Sequence, residues 1–115
     1  MASNIVRSKW RNARLLSLFV DGTGTAAISG PDASLFTLTD NGTGDYTLTA
    51  TTAFAEPPYV SVMGVTANIS YSQVAPTTTV INIKSFEVDD APVAKDADFF
   101  VLIYGAQLLS VNSDV

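Results

Sequence analysis

Asp40-Asn-Gly-Thr-Gly-Asp-Tyr-Thr-Leu-Thr-Ala-Thr-Thr52 is the stretch that decides the fold. From Asp45 onward, Tyr46, Leu48 and Ala50 alternate with Thr47, Thr49 and Thr51. Successive side chains of a strand point to opposite faces, so this pattern predicts a half-buried antiparallel strand with one apolar and one hydroxyl face. Just ahead of it, Asn41, Gly42 and Gly44 supply residues that accept the positive φ of tight hairpin turns. Upstream, Ser34–Thr39 alternates again, with Phe36 and Leu38 opposite Thr37 and Thr39. Strand, turn and strand together predict a hairpin.

The same reading extends outward. Leu15–Val20, Tyr59–Val65, Ala67–Val74 and the β-branched run Thr77–Val88 read as strands, with Gly64 a candidate bulge. Asp98–Gly105 is almost continuously apolar, as in a central strand covered on both faces, and Leu108–Val111 reads as a short edge. Pro31, Pro57-Pro58 and Pro76 fall between these runs. From Arg14 on, no stretch of helical length carries a 3.6-residue period. Roughly six to eight short strands in one small chain predict an all-β fold, an antiparallel β-sandwich or jelly roll over residues 15–115. One internal echo stands out. Ser17-Leu-Phe-Val-Asp-Gly-Thr-Gly-Thr25 resembles Thr37-Leu-Thr-Asp-Asn-Gly-Thr-Gly-Asp45, which predicts two similar hairpins. Neither Gly-x-Gly is a dinucleotide loop, for the third glycine and the following helix are missing.

Composition narrows the chemistry. The 115 residues are 47% apolar and 15% charged, which is globular. There is no Cys and no His. Disulfide scaffolds, thiolate zinc sites, imidazole-ligated metals and nucleophile–histidine catalysis are therefore excluded. No apolar run reaches bilayer-spanning length, and Leu15–Val20 is too short for a secretory h-region. The expectation is synthesis in a cytoplasm, no enzyme activity, no cofactor and no membrane.

Charge is unevenly placed. Arg7, Lys9, Arg11 and Arg14 give the first 20 residues +4, while the remaining 95 carry −9. Residues 1–14 thus read as a basic arm on an acidic body. Either it docks on an acidic protein surface, with Trp10 as anchor, or it is a solvated tail. Nucleic-acid contact is unfavourable for four cations on an acidic body. As a helix the arm would be capped by Ser3 with its arginines on one face; an extended arm fits equally. The candidate docking residues are Arg7, Lys9, Trp10, Arg11 and Arg14. Asp89, Asp90, Asp96 and Asp98 form an acidic loop near Glu87. Calcium binding lacks the EF-hand spacing there, and accepting a neighbour's basic arm is the better functional reading beside a solvated loop. Tyr46, Tyr59, Tyr71 and Tyr104 suit either core packing or stacking on sugars, and the threonine rows suit a solvent face or a subunit contact.

Gly42-Thr-Gly-Asp-Tyr-Thr-Leu-Thr49, Phe54, Pro58-Tyr-Val-Ser-Val62, Val80–Val88 and Asp96-Ala-Asp-Phe-Phe-Val-Leu-Ile-Tyr-Gly105 resemble small all-β domains of tailed-bacteriophage virion proteins. These are head decoration (cement) proteins and terminal domains of tail fibres. The resemblance covers roughly residues 42–105 and leaves out the arm. It implies a structural protein of the virion, a sandwich or jelly-roll fold, a homotrimer and no catalytic residues. With little chain ahead of the first strand for a fibre shaft, decoration of the head is the first expectation. Its partner would be the major capsid protein or another virion protein. A tail-fibre tip recognising host surface glycans is the alternative.

Overall fold

The computed structural model describes residues 13–65, 67–88 and 93–107. Nine strands form within them: β1 (Arg14–Asp21), β2 (Ala27–Ser29), β3 (Phe36–Gly42), β4 (Asp45–Ala50), β5 (Tyr59–Gly64), β6 (Ile69–Gln73), β7 (Val80–Glu87), β8 (Val93–Ala94) and β9 (Phe99–Gly105). They make two sheets, ordered β2-β1-β9-β5 and β3-β4-β7-β6, with β8 on β7. Every pairing is antiparallel.

The alternation seen in the sequence becomes the core. β1 turns Leu16, Leu18 and Val20 inward, and β9 turns Phe99, Val101 and Ile103 inward. They meet Tyr46, Leu48 and Ala50 of β4 and Ile81 and Ile83 of β7 from the other sheet. All are buried, and each of the Val, Leu, Ile and Phe side chains contributes about 1.5–3 kcal/mol against exposure. Rings knit the layers: Tyr46 and Tyr71 both lie against Phe99, at centroid distances of 5.5 and 5.2 Å. The chain is thus a β-sandwich.

The hairpin at the deciding stretch forms, with one refinement. β3 and β4 pair from Phe36↔Ala50 to Asp40↔Tyr46, and then the register shifts between Asp40 and Gly42. The bulge lies here, where Gly42 and Gly44 take φ of 127° and 62°. No bulge forms at Gly64, for β5 runs in unbroken register on β9. Gly64 is bare because the Tyr71 ring lies over it; a Cβ would come within 2.6 Å of that ring. The echoed segment upstream is a second hairpin, with β1 and β2 pairing over Phe19–Asp21 and Ala27–Ser29.

Other boundaries move for local reasons. Ser34 falls in a 3-10 turn, Ala33–Leu35, because the Asp32 carboxylate accepts the Ser17 N–H at 2.8 Å and bends the chain over β1. β6 starts at Ile69, after Asn68 turns the chain at φ 62°. β7 starts at Val80, whose N–H donates to Thr77 Oγ1 at 3.0 Å. β2 and β8, of three and two residues, are too short to show a period. Leu108–Val111 lies outside the described residues.

β9 corrects the largest expectation. It is central, between β1 and β5, but it is not covered on both faces. Its burial alternates, and Phe100 and Tyr104 are 43% and 45% exposed.

Candidate functional site

Arg7, Lys9, Trp10 and Arg11 lie outside the described residues. Arg14 opens β1 beside the end of β9, paired with Gly105. Its guanidinium Nη2 donates to Gln107 Oε1 at 3.3 Å, and Gln107 Nε2 donates to the Thr52 carbonyl at 3.0 Å. The basic segment therefore joins the body at the end of the sandwich where β1 begins and β9 finishes.

Six acids gather at the other end, while Glu56 sits at the arm's own end, next to Ala55, whose N–H donates to the Ala106 carbonyl at 2.7 Å. Asp21 closes β1, Asp40 and Asp45 flank the β3–β4 turn, Glu87 closes β7, and Asp96 and Asp98 lead into β9. Lys84, opposite Asp45, and Lys95, 3.4 Å from Glu87, share this end. Asp89 and Asp90 lie outside the described residues. Asp96 and Asp98 have their own internal roles. Asp96 Oδ1 accepts the Gly44 N–H at 2.8 Å, and Asp98 Oδ1 accepts the Gly22 N–H at 3.0 Å. The Tyr46 hydroxyl lies between Asp96 Oδ1 and the Gly22 carbonyl, 3.0 and 3.1 Å away. Asp-x-Asp thus clasps the glycines of both echoed hairpins. Glycine is required at both places. A Cβ at Gly22 would strike the Ala97 carbonyl and the Tyr46 hydroxyl, and one at Gly44 would come within 2.5 Å of the Ser85 carbonyl.

Burial, with the Asp96 hydrogen bond and charge adding to it, pushes the Tyr46 phenol up to about 12. Tyr71 is also raised, by burial and then by the Asp98 charge, while its hydroxyl donates to the Asp98 carbonyl at 2.9 Å. Asp21 is lowered, chiefly by the Thr23 hydroxyl and then by the Thr23 N–H. These shifts belong to groups that close loops. Among the described residues, no three metal-ligating side chains gather. Nor is any helix among them long and apolar enough to cross a membrane.

The surface that sequence reasoning missed is the outer face of β1, β9 and β5. Register sets its side chains in three rows across the strands: Leu15–Tyr104–Tyr59, Ser17–Leu102–Ser61 and Phe19–Phe100–Met63. None of the nine is charged. Leu15, Tyr59, Met63, Phe100 and Tyr104 are all exposed large apolar or aromatic side chains. Phe19 and Phe100 lie tilted against each other, with ring centroids 5.0 Å apart. Beside this pair opens a recess of about 140 Å³, bordered by Ser17, Phe19, Pro31, Met63, Phe100 and Leu102. One signal existed: Phe100, Leu102 and Tyr104 are the second register of the apolar run read as doubly buried.

The outer face of the other sheet is polar. Its rows are Thr37–Thr49–Val80 and Thr39–Thr47–Asn82, followed by Asp45–Lys84–Ser72. Asn82 Nδ2 donates to Thr47 Oγ1 and to the Tyr46 carbonyl, both at 3.1 Å. Asn41 Nδ2 donates to Thr47 Oγ1 at 2.7 Å.

Compared with known proteins, the chain matches no family model, no curated protein and no solved structure.

Proposed function

We propose that the protein is an accessory structural protein of a bacteriophage virion, a head decoration protein that binds the outer capsid and stabilises the shell. The observation that carries this reading is the separation of charge along the sandwich. The basic segment joins at Arg14, and six carboxylates sit at the far end of β1, about 25 Å away for a strand of that length. A cationic segment that joins the body away from this cluster, with Glu56 the acid at its own end, has charge to offer a neighbour's carboxylates. Arg7, Lys9 and Arg11 supply the charge, and Trp10 the apolar anchor. The body offers surfaces and closed loops, and the chain lacks Cys and His, so the reading is adhesion without catalysis.

The mechanism is linkage. A protein that binds only the assembled lattice shifts the assembly equilibrium toward it, and many symmetric copies add avidity. The test is co-sedimentation of the purified protein with capsids lacking it, and separately with host cells. Binding to shells, weakened by added salt because exposed cations are screened, is the expected result. Removing residues 1–12 should abolish it; equal coating by the truncated protein would overturn the role given to the arm. A second reading is favoured by the exposed rings of Tyr59, Phe100 and Tyr104, which suit stacking on sugars. Sedimentation with cells but not with shells would establish the glycan-binding tail-fibre module in place of decoration.

A further inference from the structure

We infer that the outer face of β1, β9 and β5 is an interface between copies of this chain, covered by the same face of a second copy. Three observations select that occupant. The first is charge. Each copy carries −5 overall, so a contact between two bodies is least opposed where the buried surface is uncharged. The nine positions in these three rows are all uncharged, with Asp21 at their edge, whereas the opposite sheet presents Asp45 and Lys84 within its rows.

The second observation is self-complementarity. The face carries both a ring-sized recess and the rings to fill one. Its recess of about 140 Å³ is close to the cavity volume that accepts benzene. Phe100 projects at its rim, 43% exposed. A contact that reuses one patch on both partners needs donor and acceptor on the same surface, and here they adjoin. The middle row, Ser17–Leu102–Ser61, is lower than the rows of large side chains on either side, so two such faces interdigitate.

The third is area. Leu15, Tyr59, Met63, Phe100 and Tyr104 are 43–70% exposed, and at the lower end of the 150–250 Å² of a large side chain they offer roughly 400–500 Å² of accessible surface per copy. Two copies would bury about 800–1,000 Å², at the lower edge for a specific interface. The association is accordingly reversible and concentration-dependent, and it stands whether or not the protein coats a shell.

The test is the solution mass of the full-length protein by sedimentation velocity, from about 10 µM to about 1 mM, the range where so small an interface titrates. The expected result is a mass rising above the 12.1 kDa of one chain with concentration. Phe100→Asp is expected to move the midpoint at least about tenfold higher, because it places a charge in the apolar contact. Met63→Asp, on the same row, provides the same test should Phe100→Asp fail to fold. Thr49→Asp, on the opposite sheet, is expected to leave the midpoint unchanged. A monomer throughout the range would overturn the inference. So would an oligomer that Phe100→Asp and Met63→Asp leave intact, or one that Thr49→Asp dissolves equally.

Discussion

The outer faces of the two sheets come from strands of similar length and the same alternation, yet they carry opposite chemistry. On β3-β4-β7, outward positions hold threonine, asparagine, one valine and one opposed Asp45–Lys84 pair. Their polar groups bond to one another and to the backbone, and water completes them. On β1-β9-β5, the outward positions hold phenylalanine, leucine, methionine and tyrosine, with two serines. Water gains nothing there, and exposing apolar surface costs about 25 cal/mol per Å². A sandwich needs only its inner faces to fold. An apolar outer face is therefore surplus to folding and belongs to contact with something else.

If the sheets differ only outside, equal truncations inside must cost alike. Leu18→Ala in β1 and Leu48→Ala in β4 should each lower stability by about 2–5 kcal/mol, measured by urea unfolding. A near-neutral value for either would break the symmetry of the core. Tyr46→Phe comes next. It removes the hydroxyl that Asp96 and the buried Gly22 carbonyl share, at a cost of about 1–3 kcal/mol.

The same phenol gives a pH signature. Its folded value, about 12, lies above its ordinary 10.0, so the fold favours the protonated form. The stability tied to that proton is complete below pH 10 and declines as pH rises toward 12. Unfolding midpoints measured across that window should fall in the wild type and fall less in Tyr46→Phe. The smallest stability effects are expected on the outer faces themselves. Phe100→Thr and Thr49→Ser should each change the unfolding free energy by no more than about 0.5–1 kcal/mol. They should separate in another measurement: Phe100→Thr lowers binding of a hydrophobic dye, and Thr49→Ser does not.

Much of the fold was legible because one inner face repeats at period two. Tyr46-x-Leu48-x-Ala50 announced its own burial, and Asp40-Asn-Gly-Thr-Gly44 beside it announced the hairpin, whose turn falls on Thr43 and Gly44. β9 was misread for a physical reason. A strand with both registers apolar reads as covered on both sides, but here the Phe100–Leu102–Tyr104 register faces outward with Phe100 and Tyr104 exposed. The clasp was illegible in Asp96 and Asp98 alone, since their partners Gly44 and Gly22 are 52 and 76 residues away. The echoed Gly-Thr-Gly segments were the accessible trace: both are hairpins, and the first glycine of one and the last of the other end on the same Asp-x-Asp.

The pairing of β1 with β9 also sets a timetable. The first strand described lies along one emerging some eighty residues later, from Arg14 against Gly105 to Val20 against Phe99. On a ribosome, β3, β4, β6 and β7 can meet while the sheet of β1 still lacks its centre. Until β9 leaves the exit tunnel, Leu16, Leu18 and Val20 must wait unsealed, at the risk of capture by another nascent chain. Pairing at this sequence separation is expected to slow refolding of the finished chain, which stopped-flow fluorescence would measure.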